Sequence, residues 1–223
     1  MHKNYFLEII DKKPILFAAM LRFNGFLPAK DMENLPDCLA AFQNVLSREY
    51  LEEVWHHAPS RKHIHRFAPD FTEPFWDFSE ESRCLALLEP ETANELALFY
   101  GSSLHAPEIT RMIMGKELAR LREVLGERAH AYAMQRGQYQ RPSGREVFAP
   151  RHREMPLAER IMQHGREAFG IIASGWPRAL QHRVHAEAPV NMSVSSDLQR
   201  GIWFDMKKIL IKEVAPAWAP CFA

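Results

Sequence analysis

The sequence predicts an all-α protein, an irregular bundle of about eight or nine helices in one domain over residues 1–223. Apolar residues recur three or four positions apart through most of the chain, as they do on one face of a helix. Prolines stand where these segments begin and glycines where they end, which are the favoured positions for each. No segment alternates cleanly between apolar and polar residues, the pattern of a half-buried strand.

The first predicted helix covers residues 36–57, because Pro36 fits a first turn and apolar residues from Ala40 to Val54 share a face. The helical spacing fails over 58–78, where three prolines lie among clustered aromatic residues. We therefore expect an ordered loop there, anchored by its aromatic side chains.

Capping residues divide the middle of the chain into short helices. Ser79 can cap the first, and Pro90 and Pro107 each begin another. Glycines end three of them. We therefore expect chain corners at Pro107, where one helix begins, and at Gly126, where another ends. The predicted helices cover 79–88, 90–104, 107–115, 116–125 and 127–136.

Residues 138–155 lack sustained periodicity and are predicted to be an internal linker. Helices then follow over 156–175, 177–185 and 197–214, and Pro216 ends the last of these. The last helix carries one apolar stripe, consisting of Leu198, Ile202, Met206, Ile209, Leu210 and Val214.

The charges balance, with 28 Lys and Arg against 28 Asp and Glu. No overall field therefore attracts nucleic acid or anionic lipid. Locally, residues 70–95 are acidic and residues 141–153 are basic. This asymmetry indicates either an ordinary solvated surface or a charge-matched docking surface.

Four residues are candidates for partner contact. Trp203 lies off the centre of the apolar stripe, so it can either remain accessible to a partner or cover the edge of the bundle. Glu80, Glu81 and Glu91 belong to the acidic region and are the other three candidates.

Cysteine usage and hydropathy favour a reducing cytoplasm. Cys38, Cys84 and Cys221 are far apart and form no C-x-x-C pair, so neither a disulfide framework nor a thiolate zinc site is expected. The apolar run at 14–21 is short for a secretory signal and much too short to cross a bilayer.

The histidine-rich stretch at 56–65 is a candidate metal site. His56, His57, His63 and His65 lie close in sequence, with Glu52 and Glu53 nearby, but their spacing matches no characteristic zinc motif. We expect structural or solvated histidines and no metal, and a metal-dependent enzyme built on this stretch is the alternative.

No catalytic or cofactor-binding residues are predicted. The sequence lacks a serine or cysteine nucleophile motif and both glycine-rich phosphate-binding motifs, and Ser102 and His105 are three apart, as chance often places such a pair. A helical nucleic-acid-binding module using the arginines at 141–166 is a further alternative, which the neutral net charge disfavours.

Several segments, in order, resemble the SctK family of type III secretion systems. The resemblance begins at Leu21-Arg-Phe-Asn24 and is best at Ala97-Leu-Phe-Tyr-Gly101 and over 106–115, 118–126 and 131–134. It continues through 158–165, Phe169, 176–180 and the last helix as far as Pro216. Residues 1–13 and 56–65 have no counterpart in the pattern.

The resemblance implies a non-enzymatic adaptor of the injectisome sorting platform, at the cytoplasmic face of the bacterial inner membrane. Such an adaptor links the cytoplasmic forkhead-associated domain of the ring protein SctD to the pod protein SctQ. The platform also contains SctL and the ATPase SctN. The resemblance implies neither binding to nucleic acid nor direct insertion of the protein into the membrane.

Overall fold

A computed structural model describes residues 3–24, 74–112, 115–184 and 194–222. The protein is all-α, as predicted, and these residues contain no β-strand. Their α-helices are α1 (Lys3–Lys12), α2 (Pro14–Phe23), α3 (Pro90–Arg111), α4 (Lys116–Gln135), α5 (Arg145–Phe148), α6 (Leu157–Ala173), α7 (Arg178–Val184) and α8 (Ser196–Ile209). The 3-10 turns are Glu81–Leu87, Gly137–Tyr139 and Pro216–Phe222, and Leu210–Val214 is a π-helical turn.

The chain divides into two compact units. The first contains Met1–Glu80 and Trp176–His185, and the second contains Glu81–Gly175 and Ala186–Ala223. The helix predicted over 36–57 and the histidines of 56–65 lie outside the described residues. The number of folding domains therefore stays a prediction.

In the first unit, Asn24 fastens the segment after residue 73 to the end of α2. Its side-chain amide donates to the carbonyl oxygens of Met20 and Phe75, both at 2.9 Å, and its oxygen accepts the Phe75 N–H at 2.7 Å. Phe78 is buried and meets the rings of Phe23 and Phe75 edge to face. The part of the predicted aromatic loop that the structure describes is therefore anchored as expected.

The second unit is centred on the pairing of α3 with α6. Gly101 of α3 lies against the backbone of α6, and Gly165 of α6 lies against the backbone of α3. The absence of a Cβ at both positions permits this close approach. α4 packs on α3 through Phe99 and Tyr132, whose ring centroids are 5.1 Å apart.

The chain corner predicted at Pro107 is wrong, because α3 runs without interruption from Pro90 to Arg111. A proline inside a helix leaves the carbonyl four residues earlier without its N–H donor. Here that carbonyl belongs to Ser103, and the Arg145 guanidinium donates to it at 2.8 Å. Arg145 also donates to the Leu104 carbonyl at 3.2 Å, so α5 stabilises the helix at its proline.

The corner predicted at Gly126 is confirmed. Gly126 has φ 70° and ψ 167° inside α4, a left-handed conformation that kinks the helix and that glycine adopts readily. Gly115, with φ 125°, lies immediately before α4.

The region predicted to be a linker, 138–155, lies within the second unit and contains α5. The Phe148 side chain is fully buried and Arg145 is tied to α3, so this irregular stretch is packed. The final helix is also shorter than predicted, because α8 ends at Ile209 and a π-helical turn continues to Val214. None of the helices in the described ranges is both long and apolar enough to cross a bilayer.

Candidate functional site

The three acidic candidates are exposed. Glu80 belongs to the first unit, whereas Glu81 and Glu91 belong to the second. Glu81 pairs with the Lys207 ammonium at 2.6 Å, so its charge is partly compensated within its own unit. Glu91 lies in the first turn of α3, where a negative charge interacts favourably with the helix dipole.

Trp203 is not accessible to a partner, because its side chain is only 8% exposed. The C-terminal 3-10 turn brings Phe222 against it, with ring centroids 5.7 Å apart. The alternative, that Trp203 covers the edge of the bundle, describes the structure better.

The neighbouring Phe204 is the exposed aromatic residue of α8, at 57% exposure. Residues three or four apart on a helix share a face. Asp197, Arg200, Phe204 and Lys208 follow one another at that spacing, and all four are exposed. We call this face, formed by Asp197, Arg200, Phe204 and Lys208, the α8 stripe. Its excess charge is positive.

A second feature is a buried cluster of histidines and carboxylates between α3, α6 and the turn after α5. His105 Nδ1 lies 2.9 Å from Glu108 Oε1, and His105 Nε2 lies 2.8 Å from His164 Nδ1. Both imidazoles are almost completely buried. Glu108 also accepts a hydrogen bond from Arg160 at 2.5 Å, so a polar chain leads from the surface into the core.

The other side of the cluster is centred on Glu167. Its Oε1 accepts hydrogen bonds from His152 Nε2 at 2.9 Å and from Gln163 Nε2 at 3.0 Å, and Arg151 Nε lies 3.5 Å from Oε2. The ring centroids of His152 and His164 are 5.5 Å apart. We call His105, His152, His164, Glu108 and Glu167 the histidine cluster.

Burial sets the protonation of the cluster. It lowers the pKa of His164 to about 4, and the charge of neighbouring His105 adds to this effect. Burial also lowers the pKa of His105, although the hydrogen bond that His105 donates to Glu108 opposes this effect. Burial tends to raise the pKa of Glu108 and Glu167, but their hydrogen bonds and neighbouring cations lower it on balance. The imidazoles of His105 and His164 are therefore neutral at pH 7 and lie beside the ionised carboxylates of Glu108 and Glu167.

Ser102 and His105 do not form a catalytic pair. Both His105 nitrogens are engaged by Glu108 and His164. The buried Ser102 hydroxyl has no hydrogen-bond partner among the residues that the structure describes.

Sequence reasoning missed the histidine cluster because its members are scattered between residues 105 and 167. Two local signals were present, His105 with Glu108 and His164 with Glu167, each three apart and therefore on one helix face. The position of His152 depends on tertiary packing alone.

No protein-family model, curated protein or solved structure matches this chain.

Proposed function

We propose that the protein is a non-enzymatic adaptor of a type III secretion sorting platform, linking the cytoplasmic domain of SctD to SctQ. The observation that carries this proposal is the ordered series of segments resembling SctK, which extends from Leu21 to Pro216. SctL and SctN are reached indirectly, through SctQ.

The packing of the second unit supports the proposal. Two of the resembling segments, 97–101 and 158–165, meet at the crossing of α3 and α6. A Cβ on Gly101 would lie 2.0 Å from the Ile161 carbonyl oxygen, and one on Gly165 would lie 2.0 Å from that of Ala97. These segments therefore have a structural reason for their residue types.

The α8 stripe is the surface we assign to one partner. Aromatic residues and arginine are enriched in interfaces, and an aromatic anchor often dominates the binding energy. Phe204 is exposed on a helix whose opposite face is held in the core by Ile202, Met206 and Ile209. Such a helix presents Phe204 rigidly, and Arg200 and Lys208 favour an acidic partner surface.

A bridge between two partners requires a second, separate surface. Glu91 is an exposed acidic residue in the same unit as the α8 stripe and is opposite to it in charge. We assign the second partner to the surface around Glu91, which would match a basic surface.

Replacing Phe204 with alanine is expected to weaken binding to one partner, SctD or SctQ, roughly 30-fold and to leave the other unchanged, because an exposed anchor contributes about 2 kcal/mol. Affinities would be measured by isothermal titration calorimetry with the purified cytoplasmic domain of SctD and with SctQ. Tyr139→Ala is the matched control, since Tyr139 is an 81% exposed aromatic residue outside α8. If Phe204→Ala bound both partners as tightly as wild type does, the α8 stripe would be the wrong surface. If the wild-type protein bound neither SctD nor SctQ, the adaptor function would be refuted.

Charge reversal at Glu91, by Glu91→Lys, is expected to slow association with the other partner. Rim charges act mainly on association rate and its salt dependence. Surface plasmon resonance at low and high salt should therefore show a difference from wild type that shrinks as salt is added. Glu81 is left intact because of its ion pair with Lys207. A loss that persists at high salt, or loss of both partners at once, would contradict this assignment.

A further inference from the structure

Three potential metal ligands converge within the histidine cluster. His152, His164 and Glu167 each offer one ligand atom, and these atoms all lie within 4.8 Å of one another. His164 and Glu167 project from one face of α6, and His152 reaches them from the turn after α5.

The hydrogen bonds of the cluster determine which nitrogen of His164 is free to bind. Ionised Glu108 can only accept, so His105 Nδ1 carries the proton and its Nε2 is a bare acceptor. His164 Nδ1 must then donate to that acceptor, which leaves a lone pair on His164 Nε2. This buried nitrogen has no hydrogen-bond partner within the described part of the chain.

A buried acceptor without a partner is costly, and in native proteins it calls for an explanation such as a water or an ion. Ligand atoms of a second imidazole and of a carboxylate lie within 4.8 Å of a His164 ring nitrogen, a set of donors that an ion can draw together. Imidazole nitrogen and carboxylate oxygen together are ligands that suit Zn²⁺.

The backbone at His152 is an independent observation. His152 has φ 52°, and in the described residues it is the one position other than glycine with positive φ. This conformation is unfavourable for a residue with a Cβ, and such strain concentrates at functional sites. Here it holds the imidazole 2.9 Å from Glu167.

We propose that His152, His164 and Glu167 bind one Zn²⁺ ion, with His164 coordinating through Nε2 and a water molecule completing the four-coordinate site. In a tetrahedral zinc site with bonds of about 2.0–2.2 Å, ligand atoms are about 3.4 Å apart. Side-chain rotations that move the three ligand atoms by about 1 Å would bring them into position. The Glu108–His105 pair is the outer support of the site, since it fixes the tautomer and orientation of His164.

The bound ion would fasten the turn at 149–155 to α6. The Nε2 proton that His152 donates to Glu167 would move to Nδ1, which lies 3.8 Å from Glu154, so that His152 and Glu167 could both coordinate the ion. Arg151 would still lie beside the carboxylate. This role is structural and does not depend on the adaptor function. It differs from the alternative raised by the sequence, in which zinc is bound by the histidines of 56–65.

Zinc titration of the full-length, tag-free protein tests the site. After treatment with a chelator and its removal, ZnCl₂ should bind at one ion per chain and raise the melting temperature by several degrees. His152→Ala is the main variant, because His152 is partly exposed and its loss leaves the core intact. It should abolish stoichiometric binding and the thermal shift. Cobalt substitution should give the absorption spectrum of a tetrahedral site in the wild type and not in His152→Ala.

Two further variants separate this site from other sources of zinc binding. Glu108→Gln keeps all three ligands and should weaken binding roughly 10- to 100-fold, the usual effect of losing an outer partner. The double variant His63→Ala with His65→Ala should bind zinc as wild type does. Substoichiometric zinc in wild type at saturating ZnCl₂, unchanged binding by His152→Ala, or loss of binding in the double variant would each overturn the proposal.

Discussion

Replacing Gly165 with alanine is expected to lower the free energy of unfolding by about 3 kcal/mol. The new Cβ would lie 2.0 Å from the Ala97 carbonyl oxygen and 2.5 Å from its carbon, so the backbones of α3 and α6 must separate. Overpacking a core costs about 1–3 kcal/mol where side chains can adjust, and a helix backbone adjusts less readily. The better helix propensity of alanine offsets only about 1 kcal/mol. Urea denaturation monitored by circular dichroism measures the difference.

Gly101→Ala should have a similar effect, because its Cβ would meet the Ile161 carbonyl oxygen at the same crossing. The double variant should lose less than the sum of the two, since the first substitution already separates the helices. Gly137→Ala is the control, because its Cβ would lie 3.4 Å from its nearest neighbour, an ordinary van der Waals contact. If Gly165→Ala were as stable as wild type, the close packing of α3 and α6 would be wrong.

Trp203→Ala is expected to destabilise the protein by about 3–5 kcal/mol, the usual cost of removing a large buried aromatic side chain. The loss includes the contact with Phe222, so the C-terminal turn should become more accessible to protease. Phe204→Ala, one residue away on the exposed face, should change stability by less than about 0.5 kcal/mol. Urea denaturation of both variants makes the comparison, and equal stabilities would contradict the orientation of α8.

The helices that the sequence predicts best are those in which periodicity and end signals agree. α6 falls within its predicted segment, α8 begins one residue before the predicted start at 197, and Gly126 produces the expected kink. Local information is sufficient there because apolar spacing determines the buried face.

The features that local sequence got wrong or left open share a cause, which is that distant residues alter a local preference. Pro107 is accommodated within α3 because Arg145, which is far along the chain, supplies the missing hydrogen bond. Trp203 is buried because Phe222 folds back on it. The sequence immediately around Pro107 does not indicate Arg145, and the sequence around Trp203 does not indicate Phe222.

The histidine cluster was beyond sequence reasoning for the same reason. The i, i+3 pairs of α3 and α6 are visible in the sequence, but such pairs are common on helices. What makes the cluster unusual is its burial, the bond between His105 and His164, and the strained backbone of His152. All three depend on the packing of α3, α5 and α6.

Reconstitution of a three-component complex tests the adaptor function most directly. The cytoplasmic domain of SctD, the full-length protein and SctQ would be mixed at micromolar concentration and analysed by size-exclusion chromatography with light scattering. We expect SctD and SctQ to co-elute only when the protein is present, in one complex containing all three components. Separate elution of SctD and SctQ in its presence would contradict a bridging role, as would their co-elution in its absence.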